Sequence, residues 1–145
     1  TTRLVGSVMC IRERIISYFS IVPPETGGII GSSSTFIDTV AFDNYNKIID
    51  AAVYVPDVRR LNAILSSWQK DKISFCGLFH SHKKGQETLS KDDIEYIHTI
   101  YSCLPQTITN LYFPIVIPQT KIFPYKAINQ KHSIEIISDR IDLVP

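Results

Sequence analysis

The sequence predicts an α/β domain of the α+β kind, with one mixed β-sheet and helices packed on it. Three observations carry that expectation. Segments with helical apolar spacing alternate with short apolar runs of strand character; hairpin-like strand pairs stand towards both ends; and no repeat, linker or low-complexity tract divides the chain. With 145 residues, 44% of them hydrophobic, there is enough apolar surface for one substantial core but not for two. Residues 1–145 are therefore expected to form a single domain.

The elements follow in order. Val8, Ile11, Ile15 and Tyr18 recur at helical spacing, so a first helix is expected before Pro23-Pro24, which cannot continue it. Gly27-Gly28-Ile29-Ile30-Gly31 reads as a buried strand, its glycines marking close approach by another backbone or a ligand. Thr35 to Phe42 is its expected hairpin partner, and Asp43-Asn44-Tyr45-Asn46 supplies turn chemistry before a further strand ending near Val55. Asp57 can cap the next helix, whose Val58, Leu61, Leu65 and Trp68 lie along one apolar face with Trp68 in the core. Ile73 to Phe79 is a continuous apolar run of the kind found in a central strand, ending at His80. A further helix is expected to start at Ser90, bury Ile94, Ile97, Tyr101 and Leu104, and stop at Pro105. Leu111 to Ile117, Lys121 to Ile128 and Ser133 to Ile137 complete the sheet, with Pro118 and Pro124 at edges or turns.

Composition narrows the function. The formal charge is +1, with Lys and Arg spread evenly among Asp and Glu, so no basic stripe for nucleic acid and no acidic tail is present. The apolar runs are far shorter than the about 18 residues of a membrane span, and no basic-then-apolar leader opens the sequence. Cys10, Cys76 and Cys103 are odd in number and contain no Cys-x-x-Cys pair. Buried free thiols in a reducing cytoplasm are expected, not a disulfide framework or a cysteine zinc knuckle.

One stretch concentrates chemistry. His80-Ser81-His82 is followed after seven residues by Ser90 and, two residues later, by Asp93. Side chains at i and i+2 of an extended segment share a face, so both imidazoles can address one metal. Residues 83–89 contain Gly85 and polar residues and can turn the chain back, bringing Asp93 in the first helical turn as a third ligand. Ser-x-x-Asp ahead of an apolar run is equally a capping-box pattern, and the two readings are compatible. A Ser90 hydroxyl beside a metal can also face a developing oxyanion. Glu25 stands between Pro23-Pro24 and Gly27-Gly28, where a rigid backbone could hold a carboxylate for proton transfer. These are the parts of a hydrolytic zinc site: three protein ligands, a fourth position for water, and a separate carboxylate. His98 and His132 have no partner at ligand spacing and are expected to be ordinary surface or hydrogen-bonded histidines.

The set Glu25, His80-Ser81-His82, Ser90 and Asp93, with seven and then two residues between the last members, resembles the motif of the JAMM metalloproteases, also called the MPN-plus or JAB family. Pro24-Glu25-Thr26-Gly27-Gly28-Ile29-Ile30-Gly31 and Gly77-Leu78-Phe79-His80-Ser81-His82 resemble that family's flanking blocks. The resemblance implies a JAB/MPN-type, cytidine-deaminase-like fold and one Zn2+ per chain on His80, His82 and Asp93. It further implies Glu25 as general base and acid, and Ser90 as a stabiliser of the tetrahedral intermediate. The implied activity is isopeptide or peptide hydrolysis after the C-terminal glycine of a ubiquitin-like or sulfur-carrier protein, by a compact, prokaryotic-type member. A scaffold module without catalysis and another amide substrate are the alternatives.

Overall fold

The computed structural model describes residues 3–4, 27–43, 57–117 and 121–139. The expected first helix, Glu25, Cys10, Pro118 and the strand ending near Val55 lie outside them. Numbered in chain order, the described strands are β1 (Arg3–Leu4), β2 (Gly27–Ser32), β3 (Phe36–Ile37), β4 (Thr39–Phe42), β5 (Ser74–Ser81), β6 (Asn110–Tyr112), β7 (Ile115–Ile117), β8 (Lys121–Phe123), β9 (Tyr125–Asn129) and β10 (Ile134–Ser138). The described helices are α1 (Val58–Lys70) and α2 (Lys91–Cys103). Neither is long and apolar enough to cross a membrane.

Eight strands form one mixed sheet in the order β10-β9-β6-β5-β2-β4, with β7 pairing β5 and β8 pairing β7. β2 is antiparallel to β4 and β5, whereas β6 and β7 both run parallel to β5. β5 is therefore central, as its unbroken apolar character predicts. It runs through His80 to Ser81, one residue beyond the expected end. Two runs expected as continuous strands are each broken at a proline. Pro114 separates β6 from β7 and Pro124 separates β8 from β9, because proline offers no N–H to a ladder.

Alternation along the strands fills both faces of the sheet. Ile30, Phe79, Tyr112 and Val116 belong to one buried cluster, and Ile29, Leu78, Leu111 and Phe113 to another that includes Leu61 and Trp68 of α1 and Ile97 and Tyr101 of α2. The register of β2 on β5 shifts between Ile30 and Gly31, and Cys76 is the extra residue. This bulge puts Cys76 in the same cluster as Phe79, three residues on. Downstream of it the alternation is regular, so His80 shares the helix-bearing face with Leu78, and Ser81 is buried on the other. Gly28 has the expected role, since a Cβ on it would stand 2.2 Å from the Ala41 carbonyl oxygen of β4.

Both helices begin where their caps predict. The Asp57 carboxylate accepts from Arg60 N–H at 3.1 Å, and Ser90 closes a reciprocal capping box with Asp93. Three expected burials are corrected. Val58 is 57% exposed and Ile94 37%; both belong to first helical turns, and the buried stripes begin about one turn later, at Leu61 and Ile97. Cys103, in the last turn of α2, is exposed, whereas Cys76 is buried, where burial pushes its thiol up to about 11.

Candidate metal centre

β5 and β7 set the backbone on which the histidines stand. His80 N–H donates to the Pro114 carbonyl at 3.3 Å and His82 N–H to the Val116 carbonyl at 3.0 Å, which carries the β5–β7 pairing past the end of β5. With the backbone extended, the two rings lie side by side on the helix face, centroids 4.6 Å apart and edge to face. His82 is buried and His80 half-buried.

α2 brings the carboxylate. Because Ser90 is the N-cap, Asp93 falls in the first turn with its side chain directed back along the helix. One oxygen, Oδ1, lies 3.0 Å from His80 Nε2, and the other, Oδ2, 3.2 Å from His82 Nε2. Oδ2 also accepts the Ser90 N–H at 2.7 Å, while Ser90 Oγ accepts the Asp93 N–H at 3.1 Å. Capping box and cluster are thus one structure. Since Ser90 Oγ acts there as an acceptor, its own hydroxyl proton is left to donate.

His80, His82 and Asp93 form a group that could hold a metal ion, their ligand atoms all within 4.8 Å of one another. The two Nε2 atoms are 2.9 Å apart. A tetrahedral ion with bonds of about 2.0 Å spaces its ligand atoms by about 3.3 Å, so the observed spacings need widen by only a few tenths of an ångström. The ring chemistry points the same way. His82 Nδ1 lies 2.9 Å from the Gln86 carbonyl oxygen; a carbonyl only accepts, so Nδ1 carries a proton and Nε2 of the neutral ring carries a lone pair. That lone pair faces a carboxylate oxygen and a second imidazole nitrogen. Electron-rich atoms at such spacing need a proton or a cation between them.

Charge at Asp93 suits a ligand. Desolvation, the largest single influence, pushes its carboxyl up, but the two imidazoles within hydrogen-bond distance, donating where a proton rather than a cation stands between, and the Ser90 N–H together hold it well below the usual carboxylate range. It is therefore ionised at neutral pH. His98 and His132 are exposed and stand outside the cluster, as their lack of a spaced partner predicts. Nothing in the sequence marks the backbone acceptors Pro114, Val116 and Gln86 or the Tyr125 hydroxyl, which donates to the Glu87 carbonyl at 3.0 Å. A carbonyl has no residue-type signal, and Tyr125 is 38 positions from Glu87.

Fold and site together describe an α+β protein with a three-residue group able to take a cation. The chain matches no family model and no curated protein. Among solved structures it is similar to the solution structure of protein DSY2949 from Desulfitobacterium hafniense, with a TM-score of 0.68 and 16% identity over 99% of this chain and 93% of that one. At that identity the likeness concerns the fold alone.

Proposed function

We propose that this protein is a JAB/MPN-type zinc hydrolase, an isopeptidase or peptidase that cuts after the C-terminal glycine of a ubiquitin-like or sulfur-carrier protein. The observation that carries this reading is the convergence of His80 Nε2, His82 Nε2 and the Asp93 carboxylate on one point. Two imidazoles and one carboxylate are a common donor set of hydrolytic zinc, which leaves a fourth position for water. Bound there, zinc would lower the pKa of that water to about 7 and polarise the scissile carbonyl.

The chain's own groups supply the remaining steps. Ser90, fixed as the N-cap of α2, donates its hydroxyl proton towards the oxygen that gains charge, a contact that strengthens in the transition state. Glu25 takes the proton from the attacking water and returns it to the leaving amine. It lies outside the described residues, two positions before Gly27, which pairs with His80 across the β2–β5 ladder. An extended substrate tail adding to a sheet edge would gain affinity through backbone hydrogen bonds, and a narrow channel beside the metal would admit only glycine. The odd cysteine number supports a reducing, cytoplasmic setting.

The test is hydrolysis of a ubiquitin-like fusion and of its lysine-linked form. Turnover is expected with zinc and is lost with a chelator. Glu25→Gln is expected to keep the metal and lose at least about 100-fold in turnover, the low end for a general acid–base group. Zinc-free protein that gains no activity from added zinc would instead mark an assembly module.

A further inference from the structure

We propose that Tyr125 is a positioning residue for the metal centre, acting through residues 83–89 on the ring of His82. The inference rests on the metal-binding reading above. Residues 83–88 are all exposed, and only Leu89 at the end of the loop packs against the core, so packing does little to hold the stretch before it. It is tied instead at two consecutive carbonyls. The Gln86 carbonyl accepts from His82 Nδ1 at 2.9 Å, and the Glu87 carbonyl accepts from the Tyr125 hydroxyl at 3.0 Å. Between the histidine and these carbonyls, Gln86 N–H donates to the Lys83 carbonyl at 3.0 Å, and the turn passes through Gly85 at φ +94°.

Tyr125 is a firm anchor because it opens β9 inside the sheet. It pairs with Ser138 of β10 on one side, and its carbonyl accepts the Phe113 N–H at 2.8 Å on the other. Phe113 leads into Pro114, whose carbonyl holds His80 N–H. The same strand pair thus supports one ligand through the backbone and the other through the Tyr125 side chain.

The chemical consequence concerns the tautomer. With a cation on His82 Nε2, the ring proton can sit only on Nδ1, which is the donor that the Gln86 carbonyl requires. Loop order and metal binding therefore favour one another, and by linkage each strengthens the other by the same factor. Without the Tyr125 hydroxyl, the Glu87 carbonyl turns to water, the Gln86 carbonyl drifts from Nδ1, and the imidazole loses its fixed orientation.

The test compares wild type, Tyr125→Phe and His82→Ala by zinc competition with a chromophoric chelator. It also follows trypsin cleavage after Lys83 and Lys84 with and without zinc. Expected are a loss of about tenfold in zinc affinity for Tyr125→Phe, the low end for a group behind a ligand, with the melting temperature of the metal-free protein unchanged, and no specific binding by His82→Ala. Zinc should slow wild-type cleavage by about the same factor and that of Tyr125→Phe by less. Wild-type zinc affinity in Tyr125→Phe, with or without a lower melting temperature, would overturn the proposal and leave the metal centre standing. So would wild-type cleavage that zinc does not slow, a readout that still decides if the variant fails to fold. Wild type that binds no zinc would overturn both readings.

Discussion

Gly77 adopts φ +143°, and a Cβ there would stand 1.8 Å from the Tyr112 carbonyl oxygen on β6. Gly77→Ala combines backbone strain with a backbone clash and is expected to cost about 3 kcal/mol or more in urea unfolding. Because Tyr112 leads into Phe113 and Pro114, the same clash would displace the carbonyl that accepts from His80 N–H. At this scale the convergence of His80, His82 and Asp93 was legible in the sequence. The i, i+2 spacing of His80 and His82 and the capping signal of Ser90 and Asp93 both depend on neighbours close in the chain. Gly77 was not legible as a bulge-side contact, since the atom it avoids belongs to a residue 35 positions away.

Among the elements, α2 presents Asp93 at one end and is tied to the sheet near the other. Its N-terminus presents Asp93 through the capping box, so Ser90→Ala removes one capping hydrogen bond and is expected to lower stability by about 1 kcal/mol. The Ser90 N–H would still reach Asp93 Oδ2, so zinc affinity should fall far less than turnover, a difference read by chelator competition beside hydrolysis. Near its C-terminus, the buried Tyr101 hydroxyl donates to the Ala127 carbonyl of β9 at 2.6 Å. Burial, only partly offset by the Leu111 backbone, pushes this phenol from 10.0 up to about 12. The unfolded chain then sheds the proton at a lower pH than the folded one. The contribution to stability is complete below pH 10 and is lost as pH rises towards 12. Tyr101→Phe should flatten that alkaline decline in denaturant titrations without abolishing it, because burial raises Tyr96 and Tyr112 in the same direction.

Across the fold, the group joins β5, which carries His80 and leads directly into His82, to α2, which carries Asp93. A cation bound there ties two elements together and binds only the folded state. Zinc at about a thousandfold excess over its dissociation constant should add about 4 kcal/mol, a rise of roughly 10 °C in melting temperature at this size. Chelator should reverse it, and Asp93→Asn should show almost none of it. An equal shift in that variant would place the ion elsewhere.

Spacing, caps and apolar runs among near neighbours were enough to read the fold class, the order of most described elements, both described helix starts and the three converging residues from the sequence. Which strands flank β5, which face Cys76 joins after the bulge, and which carbonyls hold the His80 and His82 backbones were not readable in that way, because they depend on residues far apart in the chain. The exposure of Val58, Ile94 and Cys103 belongs here too. Periodicity defines a helical face, but only the reach of the packed sheet decides how many turns of that face are covered.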